Sequence, residues 1–83
     1  MSTMQKIRSY VLENYLFTDD PAVLGDDDSF LEQGIIDSTG IMEVIFFLED
    51  EFGITVEDED MIPDNLDSIS RICSYINRKR MAA

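Results

Sequence analysis

The chain contains no histidine, no tryptophan and a single cysteine, Cys73. Without histidine it lacks the usual general base of neutral pH and the commonest nitrogen ligand for metals. One cysteine can form neither an internal disulfide nor a zinc site. No apolar run approaches the roughly 18 residues of a membrane span. The first ten residues, Met1 to Tyr10, lack the apolar stretch of a signal peptide. These absences predict a soluble, cytoplasmic protein with no metal centre and no catalytic apparatus of its own. The widest gap is in positive charge. Lys6 and Arg8 stand near the start and Arg71, Arg78, Lys79 and Arg80 near the end, while the stretch from Asp19 to Asp67 has no base at all.

What fills that stretch is acid. Seventeen of the eighteen acidic residues lie between Asp19 and Asp67, and the net charge is −12. Such a surface repels nucleic acid and anionic membranes. It draws in proteins that present basic patches and speeds their encounter. Composition alone allows a plainer use, which is to keep a small protein soluble and monomeric.

Eighty-three residues with 45 % apolar content make one globular domain. The spacing predicts an all-α fold: a small bundle of three main helices and one short helix, with a long loop between the first two. The first helix runs from about Thr3 to Leu16, capped by Ser2 or Thr3, with Ile7, Tyr10 and Val11 facing inward. A loop from Thr18 to Asp37 follows, rich in turn residues yet carrying Val23, Leu24, Phe30, Leu31, Ile35 and Ile36. So many apolar side chains must pin it across the helices, and Ser29 to Gln33 can form a short helical turn. The second helix starts at Asp37 or Ser38 and stops at Phe52, because Gly53 enters the left-handed conformation without penalty. A short third helix is expected over Glu57 to Ile62, stopped by Pro63. The last begins after Asp67 as cap and runs to about Lys79. Its inner stripe is Ile69, Ile72, Cys73 and Ile76, and its terminal bases suit the helix dipole.

The second helix is apolar on two sides. Ile41, Val44, Ile45, Leu48 and Phe52 form one face at helical spacing. Met42 and Phe46 form a second pair rotated away from it, flanked by Glu43, Glu49 and Asp50. Aromatic residues at helical spacing usually pack in a core. Here the neighbouring carboxylates would be costly to bury, so Met42 and Phe46 are expected on the surface as a contact for a partner.

Gly34-Ile35-Ile36-Asp37-Ser38-Thr39-Gly40 places a serine at the start of that helix. A serine there can simply be a cap. A hydrolase nucleophile is excluded, since the Gly-x-Ser-x-Gly elbow is absent and no histidine exists to activate it. A phosphate ester on Ser38 would sit well, because helix N-termini stabilise anions. Calcium loops fail on spacing. Counting from Asp26 puts Phe30 at the fifth position and Leu31 where glycine is needed, and counting from Asp58 puts Pro63 there.

The run Gly34-Ile35-Ile36-Asp37-Ser38, followed by Glu43 and by Leu48-Glu49-Asp50-Glu51-Phe52-Gly53, resembles the acyl carrier and peptidyl carrier protein superfamily. The resemblance extends over nearly the whole chain and includes the acidic loop and the Asp67-Ser68-Ile69 helix start. It implies that Ser38 receives a 4′-phosphopantetheine arm from coenzyme A through a phosphopantetheinyl transferase, with Asp37 as motif neighbour. It implies that the arm's thiol holds cargo as a thioester and that the carrier catalyses nothing itself. Thr39, Met42, Glu43, Phe46, Glu49 and Asp50 become the surface that partner enzymes read. Fatty-acid carriers typically have leucine and then an acid after the serine, whereas this chain has Thr39 and Gly40. Its approach to the serine looks more like D-alanyl carrier proteins and other stand-alone carriers paired with adenylating ligases. The implied partners are such a ligase and a downstream acyltransferase or synthase. The implied cargo is aminoacyl or short acyl first, and polyketide or fatty acyl second. The rival reading is an acidic interaction module of the same fold, with Ser38 as a mere cap and no arm.

Overall fold

In the computed structural model, residues 2–82 are described, the side chains of Ser38 and Ala82 excepted. Helix α1, Thr3–Val11, opens on a reciprocal cap. The Ser2 hydroxyl accepts the Gln5 N–H at 3.2 Å, and the Gln5 side chain accepts the Ser2 N–H at 2.9 Å. The helix then widens into a π-helical turn, Leu12–Leu16, which ends at Phe17 in the left-handed region with φ 54°. A 3₁₀ turn covers Pro21–Val23. Helix α2 is Ser38–Phe52, closed by Gly53 at φ 66°, as the pattern predicts. A second 3₁₀ turn covers Asp58–Asp60, α3 is Pro63–Leu66, and α4 is Ile69–Ala82. Among the described residues there is no strand.

The last helix runs on past the expected Lys79 to Ala82, and the starts of α3 and α4 differ from the expectation. Pro63 does not stop a helix; it starts one. At the first position of α3 its missing N–H costs nothing and its fixed φ suits the turn, so the short helix lies after the proline and only the 3₁₀ turn precedes it. Asp67 does not cap α4. Ser68 does, its buried hydroxyl accepting the Arg71 N–H at 3.1 Å. Asp67 instead bonds backward to the loop, where its carboxylate accepts the Leu31 N–H at 2.9 Å and the Ser29 hydroxyl, and its carbonyl accepts the Phe30 N–H at 2.8 Å.

The core collects Ile7, Val11 and Leu12 from the first helical stretch, and Val44, Ile45 and Leu48 from α2. It adds Val56, Leu66, and Ile69, Ile72, Tyr75 and Ile76 from α4. Cys73 only skirts it. The long loop contributes Leu24, Phe30 and Ile36, all buried. Burying side chains of this size stabilises by about 1.5–3 kcal/mol each, which is why the loop lies fixed. Its polar ties agree. Arg8 donates to the Leu24 carbonyl and pairs with Asp26, and the Asp26 carbonyl accepts the Ser70 N–H at 2.9 Å. Ser29 to Gly34 makes the single expected turn, closed by the Gln33 N–H on the Ser29 carbonyl at 3.0 Å, and the chain leads through the buried Ile36 straight into α2.

Candidate functional site

The start of α2 is built by its neighbours in sequence. Ile36 is 2 % exposed and anchors the incoming chain. Asp37, extended, turns the chain into the helix and accepts the Gly40 N–H at 2.8 Å through its carboxylate. The cap that the sequence allowed to Ser38 therefore belongs to Asp37, and Ser38 is the first helical residue. Its side chain lies outside the description. Asp37 and Thr39, on either side, are exposed.

The second apolar stripe is on the surface. Met42 is 43 % and Phe46 62 % exposed, while Val44, Ile45 and Leu48 are buried. The three acids beside the stripe are not equivalent. Asp50 is exposed. Glu49 is half-buried and accepts the Val56 N–H at 3.0 Å, tying the chain after α2 back onto the helix. Glu43 is exposed, yet its Oε2 accepts the Tyr15 hydroxyl at 2.9 Å. Burial, and then this bond to Glu43, hold the Tyr15 phenol protonated well above the ordinary tyrosine range. Tyr75 is raised likewise by burial and by its bond to Asp60.

Met42 has a further neighbour that periodicity did not reveal. A cleft of about 230 Å³ lies between α2 and the segment leading into α3, lined by Ile41, Met42 and Ile45 on one side and Met61, Ile62 and Leu66 on the other. Asp67 and Leu31 also reach it. The cleft is assembled from three separate stretches of chain, so no local spacing announces it. Among the described residues no cluster of three or more potential metal ligands occurs, and no helix is long and apolar enough to cross a membrane.

Residues 5–76 match the phosphopantetheine attachment site family, and the chain belongs to it. The chain is 35 % identical to a D-alanyl carrier protein of Streptococcus mutans over 78 residues, 92 % of this chain and 98 % of that one. It is 39 % identical to an acyl carrier protein of Buchnera aphidicola over 51 residues, 61 % of this chain and 62 % of that one. The group this family carries covalently is 4′-phosphopantetheine, and its members work with partner enzymes such as transferases and ligases. The residues at the start of α2 fit such a group. A serine stands at the head of a 15-residue helix, whose N-terminal partial positive charge suits a phosphodiester. Both flanking residues are open, and an apolar cleft begins one turn further along.

Proposed function

We propose that the chain is one carrier domain of the cytoplasm whose Ser38 bears the phosphopantetheine arm. The arrangement that carries this reading is the division of labour between Asp37 and Ser38. The aspartate closes the helix, and the serine stands first in it between two exposed neighbours, in a chain of this family. A partner transferase joins the Ser38 oxygen to the β-phosphorus of coenzyme A. The hydroxyl proton leaves to a base of that enzyme, and 3′,5′-ADP departs. When bound, the group supplies a thiol that holds an acyl or aminoacyl cargo as a thioester. The residues of the chain orient and present it. The N-terminus of α2 stabilises the phosphodiester charge, and the Ile41–Met42–Ile45 side of the cleft offers an apolar wall to the arm or its cargo. Met42, Phe46, Thr39, Glu43, Glu49 and Asp50 present a face to the transferase, to the ligase that charges the thiol and to the acyltransferase or synthase that discharges it. The chemistry of loading and unloading belongs to those partners.

For the cargo, an aminoacyl or short acyl group delivered by an adenylating ligase is favoured. Thr39 and Gly40 follow the serine, and the relative matched over almost its full length is a D-alanyl carrier. The test of the central reading is mass spectrometry after incubation with coenzyme A and a broad-specificity phosphopantetheinyl transferase. The wild type gains one phosphopantetheinyl group, and Ser38→Ala gains none. An unmodified wild type, or a modified Ser38→Ala, sinks the assignment.

A further inference from the structure

Tyr15 reaches α2 from the far end of the first helical stretch. It belongs to the π-helical turn Leu12–Leu16, and its ring lies beside Gly40 in the first turn of α2. Its hydroxyl lies 2.9 Å from Glu43 Oε2, to which it donates, and 3.2 Å from the Gly40 carbonyl oxygen. The ring is held from behind. Tyr10 meets it edge-on at 6.0 Å and is itself stacked on Phe47 of α2 at 4.1 Å. A side chain at position 40 would spoil this fit. A Cβ there would stand 2.8 Å from the Ile36 side chain and 3.3 Å from the Tyr15 ring. Gly40 therefore gives the ring and Ile36 their room, and the ring fixes an acid of the face that partners are proposed to read. A surface glutamate ordinarily loses rotamer freedom when a partner binds it, at a cost to affinity. One already bonded to a buttressed phenol has lost most of that freedom beforehand.

We propose that Tyr15 is a specificity-determining positioning residue for the enzymes that act on Ser38. It holds the Glu43 carboxylate in a fixed place beside the start of α2, with Gly40 as the gap that admits its ring. The proposal rests on the carrier reading above. It also explains why position 40 is neither an acid nor a larger residue. A side chain there would press first on Ile36 and then on the Tyr15 ring that holds Glu43.

The test uses the full chain with coenzyme A and the same transferase, and reads KM for the carrier separately from kcat. Tyr15→Phe removes the hydroxyl and keeps the ring. It should raise KM about threefold to tenfold, the effect of losing one hydrogen bond, with kcat within about twofold of wild type. Glu43→Ala, which removes the acceptor, should raise KM at least as much, and adding Tyr15→Phe to it should raise KM no further, because Tyr15 acts through Glu43. An independent measurement needs no transferase. In an absorbance titration, Glu43→Ala, which removes the acceptor that helps hold the Tyr15 phenol protonated, should shift one tyrosine ionisation to lower pH, the part due to burial remaining. A loaded wild type with Tyr15→Phe unchanged in KM overturns the proposal alone. So do effects that multiply in the Tyr15→Phe, Glu43→Ala double variant, or a tyrosine titration that Glu43→Ala leaves unmoved. A wild type that accepts no group overturns the carrier reading, and the proposal with it.

Discussion

Asp37 and Ser38 sit side by side, and only the first of them caps the helix. The aspartate carboxylate satisfies the Gly40 N–H, so the helix keeps its cap whatever becomes of the serine. Asp37→Ala should cost about 1 kcal/mol of stability, the usual effect of losing a cap, and Ser38→Ala no more than about 0.5 kcal/mol. Urea unfolding of both variants measures the difference. An equal loss in the two would mean that the serine shares the cap. The same attention to single residues separates the acids of α2. Glu49 accepts a backbone N–H from Val56, so reversing its charge also breaks a bond that holds the next segment. Asp50, exposed, is the cleaner probe of charge alone. Phe17, at φ 54° and 83 % exposed, occupies a left-handed position that a residue with a Cβ adopts at a cost of about 1–2 kcal/mol.

At the scale of the element, α2 has a side that folds the protein and a side that faces out. Leu48→Ala removes a side chain with no exposed surface and should cost about 2–5 kcal/mol. Phe46→Ala removes a larger one that is mostly in water and should leave unfolding within about 0.5 kcal/mol of wild type. In surface plasmon resonance, Phe46→Ala should raise the rate at which the transferase dissociates, with little dependence on salt. A loss of several kcal/mol in Phe46→Ala would make it core and remove it from the proposed docking face. The bounds of α2 were legible because both ends carry strong local signals, Asp37 before it and Gly53 after it. The inner stripe of α4 was legible for its simple period, although Tyr75 escaped it. Pro63 misled because proline favours the first turn of a helix as firmly as it opposes the middle. Leu12 escaped because the π-helical turn shifts the register beyond Val11, and Tyr15, which keeps the i, i+4 spacing from Val11, escaped only in its bond to Glu43, made across 28 residues of sequence. The cleft escaped because Leu31, Ile41 and Met61 meet only in the folded chain.

Across the whole molecule the six bases all make internal contacts, four of them with acids. Lys6 pairs with Glu51 at 3.3 Å, Arg71 with Asp64 at 3.4 Å and Lys79 with Asp60 at 3.9 Å, and Arg8 pairs with Asp26. Arg78 bonds to Asn65 at 2.7 Å, and Arg80 lies over the Phe52 ring at 5.4 Å. The unbalanced charge therefore belongs to the stretch that contains α2. Stopped-flow association with the transferase should slow by roughly tenfold as salt rises from about 0.05 to 0.5 M, since that shortens the range of exposed charges several-fold. Dissociation should change far less. An association rate indifferent to salt would show that the acids serve solubility and do not steer. The pinned loop has a consequence of another kind. Its end at Ile36 is locked into the core, so the head of α2 is a fixed pivot, and Phe46 stands on the same rigid rod about 12 Å along the axis. An enzyme that grips the rod at Met42 and Phe46 has thereby set the distance from its own catalytic centre to the pivot. A flexible tether fastened there searches a volume of constant radius about a constant origin, and the local concentration of whatever it bears depends on where the grip falls.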